Sequence, residues 1–252
     1  MRNVLYAFLF WILLFATGCN SQKEEKLMIA TAANVQFAME ELTKTFTEET
    51  GIPAEIVLGS SGKLTAQIKE GAPFDVFVSA NMKYPEELHR SGLATAAPKV
   101  YANGKLILWM LQEEGEPGFE KLTNAAVMHI AIANPKNAPY GIAAQEALQY
   151  LGFYEEVKDK LVYGESISQT NQFILSGTAA AGFTAKSVVL SPELKGKGKW
   201  IEVPQESYAP IQQGVVILKK EGKSMAEAEK FYTFLFSDKA RSILQSYGYS
   251  IN

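Results

Sequence analysis

Four stretches of this chain carry residues suited to holding a small anion without a cation. They are Thr31-Ala32-Ala33-Asn34, Leu58-Gly59-Ser60-Ser61-Gly62, Asn137-Ala138-Pro139-Tyr140-Gly141 and Gly164-Glu165-Ser166-Ile167-Ser168. Each follows a strand-like apolar run and precedes a helix-like pattern. A helix start has unpaired backbone N–H groups and a partial positive charge, which together attract anions. Asn34, Ser60 and Ser61 add side-chain donors. Pointed at one spot, four such starts would cage an oxyanion with neutral dipoles alone. The plainer reading of each loop is helix capping, since Ser and Asn are favoured before helices and Gly59 and Gly62 suit a tight turn. Lys63 is expected on the solvent face of the helix it opens. Glu165 is expected to face water and complement a helix dipole.

The elements that must position these loops alternate along the chain. Apolar runs at 27–32, 54–58, 75–79, 105–111, 130–133, 161–163, 181–184, 200–203 and 215–218 read as strands. Helical patterns fall at 35–49, 64–70, 84–90, 119–124, 142–151, 154–160, 168–176, 225–236 and 239–247. Recurrent β-α-β units imply an α/β fold of mainly parallel sheets with helices on both faces. In such sheets ligands bind beyond the carboxyl ends of strands, where the four loops lie. Loops near Tyr101–Gly104 and Tyr208–Gly214 are expected as crossings between two lobes. Lobe 1 would hold residues 27–103 and 213–252, and lobe 2 residues 104–212, with a cleft between.

Composition excludes several chemistries. The 252 residues are 47% hydrophobic and 20% charged with a net charge of −3, an ordinary globular balance. No basic cluster suggests nucleic acid. The one cysteine, Cys19, closes an apolar leader that starts at Met1-Arg2-Asn3 and ends at Ala16-Thr17-Gly18. This has the layout of a signal peptide over residues 1–18. A cysteine at the cut is expected to take a lipid and anchor the chain, through a tether at 19–26, to a membrane outside the cytoplasm. A lipidated Cys19 leaves no thiol for a disulfide, a nucleophile or a metal. His89 and His129 share no ligand spacing, which argues against zinc. No Gly-x-Ser-x-Gly elbow is present, so a hydrolase of the α/β kind is disfavoured.

The loops also sit inside a longer ordered pattern: Ala30-Thr31-Ala32-Ala33-Asn34-Val35, Gly59-Ser60-Ser61-Gly62-Lys63-Leu64, Gly71-Ala72-Pro73-Phe74-Asp75-Val76-Phe77-Val78-Ser79-Ala80, Asn134-Pro135 with Pro139-Tyr140-Gly141-Ile142-Ala143-Ala144-Gln145-Glu146-Ala147-Leu148, and Tyr247-Gly248-Tyr249. In this the chain resembles the molybdate-binding proteins of ABC importers. The resemblance implies a type II periplasmic-binding fold whose two lobes close on a tetrahedral oxyanion. Carried over by position, it implies contacts from Asn34 with the Ala33 backbone, from Ser61, from Tyr140 and from the Ile167 N–H. It implies an inner-membrane ABC permease as partner, a monomer, no resident cofactor and no enzymatic activity. Two positions depart from the commoner pattern: Asn34 stands where many members have Ser, and Ala185 where many have Tyr. The expectation is that the Tyr140 phenol supplies the hydroxyl missing at Ala185.

Molybdate is a dianion without protons at neutral pH, so a lining of donors suits it, whereas phosphate keeps a proton and asks for an acceptor. Tungstate matches molybdate in charge and size, and sulfate is smaller. The alternatives are a binding protein for another oxyanion, such as sulfate, and an enzyme on the same fold. An organic acid would ask for an arginine clamp, and Arg90 and Arg241 lie off the four loops.

Overall fold

A computed structural model describes residues 26–111, 115–220 and 225–251. The leader and Cys19 lie outside the described residues. Ten strands follow in chain order: β1 Leu27–Ala32, β2 Ala54–Gly59, β3 Val76–Ser79, β4 Lys99–Gly104, β5 Leu106–Met110, β6 Ile130–Ala133, β7 Leu161–Gly164, β8 Ala181–Ala185, β9 Lys199–Glu202 and β10 Ile211–Ile217. The helices are α1 Gln36–Thr50, α2 Ser61–Lys69, α3 Lys83–Arg90, α4 Pro139–Tyr150, α5 Tyr154–Val157, α6 Ile167–Leu175, α7 Lys186–Val189, α8 Ala226–Leu235 and α9 Asp238–Ser246. Short 3₁₀ turns join them, one of them at Ala33–Val35.

The strands form two five-stranded sheets, ordered β2-β1-β3-β10-β4 and β7-β6-β8-β5-β9. In the first, β1 pairs in parallel with β2 and β3, and β10 runs antiparallel to both β3 and β4. In the second, β6 pairs in parallel with β7 and β8, and β5 runs antiparallel to β8 and β9. Each sheet therefore has four strands running one way and one reversed, the α/β pattern expected. The chain passes from the first sheet to the second between Gly104 and Leu106, and returns between Glu202 and Ile211. The reversed strands β5 and β10 thus open each new lobe.

Local sequence explains most elements. Strands β3, β5, β6 and β8 are buried along their whole length, as apolar runs covered by helices on both faces must be. Helix α1 ends at Gly51, whose φ of 72° lets the chain turn out of the helix. Pro139 opens α4, where no amide hydrogen is required of it. That helix starts three residues before the expected Ile142, because Pro139 and Gly141 initiate it rather than break it. Strand β4 was expected as a loop. Asn103 and Gly104 read locally as breakers, yet pairing with β10 holds the segment extended. For the same reason β10 starts at Ile211, ahead of the apolar run at Val215.

Buried side chains gather on both sheets. In the first lobe Phe46 meets Phe231 edge-on, ring centroids 5.2 Å apart, beside Phe234. On the other face of that sheet Leu64, Phe77 and Leu88 pack together. In the second lobe Leu106–Met110 and Phe183 form the centre, and the Trp109 Nε1–H donates to Lys197 O at 2.8 Å. Burial on this scale contributes about 25 cal/mol per Å² of apolar surface, which makes each lobe a firm mount for its loops.

Candidate functional site

The four loops meet. Ala32, Ala33 and Asn34, Gly59, Ser60 and Ser61, and Ala80 from the first lobe enclose one cavity together with Ala138, Pro139, Tyr140 and Ile167 from the second. All five residues singled out by sequence, Ala33, Asn34, Ser61, Tyr140 and Ile167, line it and are buried. The cavity measures about 10 Å³, room for about one water molecule. None of the lining residues carries a charge.

The capping reading separates loop by loop. Ser60 does cap α2, its Oγ accepting the Lys63 N–H at 3.4 Å. The 3₁₀ turn at Ala33, α4 and α6 have no side-chain cap. Their first N–H groups have no partner inside the helix, and all three starts border the cavity. Ser166, placed to cap α6, makes no such bond, so Ile167 presents its amide with the helix dipole behind it.

The side chains of the first lobe are tied down. Ser61 Oγ accepts the Ala80 N–H at 3.0 Å, which leaves its own hydrogen free to donate. Asn34 departs from expectation. Its Nδ2 donates to Gln213 Oε1 at 2.8 Å and to Tyr249 Oη at 3.1 Å, so both side-chain hydrogens are spent on protein. Its backbone oxygen accepts from Ser187 Oγ at 2.7 Å and from Tyr249 Oη at 3.0 Å. Asn34 Oδ1 is buried with no hydrogen-bond partner among the described residues. The donor that Asn34 can offer a ligand is therefore its backbone N–H, not the amide group that sequence suggested.

Tyr140 is the opposite case. Its hydroxyl is buried and has no hydrogen-bond partner among the described residues. Burial, then the neighbouring phenols of Tyr249, Tyr101 and Tyr208, push its pKa well above 10, and the nearby Asn34 amide only partly opposes the rise. It remains a neutral O–H donor. Its tip lies against the hinge strand: a Cβ placed on Gly104 would fall 2.1 Å from Tyr140 Oη. Only glycine fits there while the phenol keeps its place. Ala185, at the end of β8, is fully buried.

The charged residues beside the loops pair with each other across the cleft. Lys63 Nζ, from the first lobe, lies 2.7 Å from a Glu165 carboxylate oxygen of the second, each side chain about half exposed. Neither simply faces water as sequence suggested. Gly62 N–H donates to Asn137 O at 2.9 Å, a second link between the lobes. A Cβ on Gly62 would sit 2.8 Å from Asn137 Cβ, so the lobes approach this closely only over glycine. His89 and His129 are both exposed, away from the cavity.

Sequence reading missed Gln213, Tyr249 and Ser187, which hold Asn34. A faint signal existed. Gln212-Gln213-Gly214 interrupts an otherwise apolar strand, and since neighbours on a strand face opposite sides, one of the two glutamines points inward and needs buried partners.

The comparisons agree with this fold. Residues 27–250 match the family model of the bacterial extracellular solute-binding proteins. The chain is 40% identical over 225 residues to the molybdate-binding protein ModA of Rhodobacter capsulatus, covering 89% of this chain and 88% of that one. It is 39% identical to ModA of Azotobacter vinelandii, over 93% of each. The solved periplasmic molybdate-binding protein of Azotobacter vinelandii superposes with a TM-score of 0.83 at 34% identity, covering 90% of this chain and all of that one.

Proposed function

We propose that this chain, which belongs to the bacterial extracellular solute-binding proteins, captures molybdate, and tungstate with it, for delivery to an ABC permease. The observation that carries the reading is the pairing of three uncapped helix starts with an unpartnered, buried phenol around one uncharged cavity. The relatives named as molybdate-binding proteins support the choice of ligand.

The donors are the N–H groups of Ala33, Asn34 and Ile167, the Ser61 hydroxyl and the Tyr140 hydroxyl. Each hydrogen bond to a charged oxygen contributes about 1.5–3 kcal/mol. Five of them, less the cost of ordering, support a Kd of about micromolar or tighter. Molybdate accepts at every oxygen and needs no acceptor from the protein. Sulfate has the same charge but shorter bonds, so the same donors fall short of its oxygens. Tyr140 supplies the hydroxyl absent at Ala185. No residue here does covalent chemistry: the protein is a carrier, works as a monomer and uses no resident cofactor, with molybdate or tungstate as cargo. Cys19 would anchor it by a lipid to a membrane outside the cytoplasm.

Calorimetric and thermal-shift titrations of the purified protein against molybdate, tungstate, sulfate and phosphate test the reading. Ligand at about 100 times its Kd stabilises by about 2.7 kcal/mol. Molybdate and tungstate should each raise Tm strongly, with sulfate and phosphate near zero. Equal shifts with sulfate would overturn molybdate as the cargo.

A further inference from the structure

Gln213 is wholly buried at the return crossing between the lobes, where β10 slips register against β4 between Gln213 and Gly214. A carboxamide there is destabilising unless its polar atoms are met. They are: Nε2 donates to Ala80 O at 3.3 Å and to Ile211 O at 3.2 Å, and Oε1 accepts from Asn34 Nδ2 at 2.8 Å. The orientation is forced. Only the amide nitrogen can meet two carbonyl oxygens, so the oxygen must face Asn34, and Asn34 must answer with its nitrogen. Ala80 carries the line onward, since its N–H donates to Ser61 Oγ. One buried chain of hydrogen bonds therefore runs from Asn34 through Gln213 and Ala80 to Ser61. The same Gln213 Nε2 borders Gly104 beside the Tyr140 hydroxyl: a Cβ on Gly104 would lie 2.9 Å from it.

We propose that Gln213 is a positioning residue for the oxyanion site, deciding which atoms of Asn34 and Ser61 are left for the ligand. With Gln213 in place the Asn34 side-chain hydrogens are withdrawn, so the anion meets the backbone N–H. One Ser61 lone pair is engaged by the Ala80 N–H, which fixes the hydroxyl and leaves its hydrogen for the cavity. Without Gln213 the Asn34 amide can swivel and the Ala80 segment loosens. Ser61 then presents lone pairs as readily as its hydrogen, and an anion that carries a proton is excluded less well. This rests on the molybdate reading above.

Gln213→Met keeps the length and removes both hydrogen-bonding functions. Gln213→Glu keeps the acceptor and replaces the amide by a carboxyl facing two carbonyl oxygens, whose pKa such burial raises. Titratable groups around Asn34 are the phenols of Tyr249, Tyr140 and Tyr101, all held above 10 by burial, so the wild-type affinity for molybdate should be flat from about pH 6 to about pH 8.5. The purified proteins are titrated calorimetrically with molybdate and with inorganic phosphate at both ends of that range. Gln213→Met should bind molybdate about tenfold or more weakly, with a narrower molybdate-over-phosphate preference. Gln213→Glu should bind near wild type at about pH 6, where a protonated carboxyl donates to a carbonyl, and about tenfold more weakly at about pH 8.5. A lowered Tm with unchanged affinity and no pH slope would make Gln213 structural only and overturn the proposal. If Gln213→Met does not fold, the pH slope of Gln213→Glu decides alone. Wild-type protein that ignores molybdate would strike the functional reading instead.

Discussion

The two walls of the cavity are satisfied to different degrees. On the first lobe, Asn34 and Ser61 are already bonded to Gln213, Tyr249 and Ala80, so that wall is rigid before any ligand arrives. On the second lobe, the Tyr140 hydroxyl has no partner and the starts of α4 and α6 are uncapped. The difference assigns the walls separate jobs. A pre-ordered wall fixes where the anion sits and loses little entropy on binding. An unsatisfied wall gains most when the anion arrives, because a buried donor without a partner costs about 1–3 kcal/mol until one is supplied. The second lobe adds the Tyr140 hydroxyl and the Ile167 N–H to the three donors of the first, so the donor set is complete only when the lobes meet, which couples capture to closure.

The largest break in this comparison is Asn34→Asp. It places a carboxylate in the ordered wall, against Gln213 Oε1 and against a dianion, in a buried setting. Molybdate affinity should fall by at least about 100-fold, since repulsion at close range in a low dielectric exceeds the loss of a single hydrogen bond. Calorimetry showing an unchanged Kd would mean the anion does not sit beside Asn34.

The opposite wall is tested by Gly104→Ala together with Tyr140→Phe. Alanine at 104 must displace the phenol, because its Cβ would otherwise stand 2.1 Å from Tyr140 Oη. Each substitution should weaken molybdate binding by about tenfold, the value of one hydrogen bond to a charged group. The double variant should fall short of the sum of the two, because both remove the same donor and residues in contact do not add, the remainder being what the new Cβ costs at Gln213 Nε2, 2.9 Å away. Additive losses would show that Gly104 acts on something other than the phenol.

The phenols make the comparison pH-dependent in one direction. Tyr140, Tyr101 and Tyr249 hold their protons above the unfolded value of 10 because they are buried, and Tyr247, also desolvated and bonded to Glu41, rises to about 12. The folded chain thus keeps protons that the unfolded chain releases. Stability contributed by these groups is complete below about pH 10 and is lost as pH rises through their folded values. Chemical denaturation at stepped pH should show level stability near neutrality and a decline that begins above about pH 10. A decline starting near neutrality would point to a group other than these phenols.

How far the sequence shows this arrangement depends on the range of the interaction. The four loops are legible because strand end, small polar residues and helix start are contiguous, so Asn34, Ser60 and Ser61 can be proposed as donors from local chemistry, whereas Tyr140 and the Ile167 N–H follow only from the family resemblance. Their convergence needs only the rule that strand ends of an open sheet face one side. The hold on Asn34 is not legible, since Gln213 is 179 residues away and Tyr249 is 215 away. No local pattern says which of Asn34's atoms remain free, and sequence alone points to the side-chain amide, whose hydrogens Gln213 and Tyr249 already hold. Strand β4 is hidden for a kindred reason. Its Asn103-Gly104 end reads as a turn, and only β10, more than 100 residues on, makes it a strand.

The smallest expected effect belongs to the pair that joins the two walls from outside. Lys63 and Glu165 approach to 2.7 Å but are about half exposed, and such pairs contribute at most about 1 kcal/mol. Their position gives that modest energy a kinetic role. The contact exists only while the lobes are together, so it stabilises the closed form and not the open one, and its loss should appear chiefly in how fast ligand leaves. Lys63→Gln also removes a positive charge near the anion, whereas Glu165→Gln removes a negative one. The two substitutions therefore share the loss of the link but differ in the sign of their effect on the anion. Stopped-flow release of molybdate should be a few-fold faster for Lys63→Gln at low salt, with the gap closing near about 1 M salt as screening grows. Glu165→Gln should change release less, its two effects opposing each other. Equal acceleration in both, undiminished by salt, would show the pair to be a packing contact and leave closure to Gly62 and Asn137.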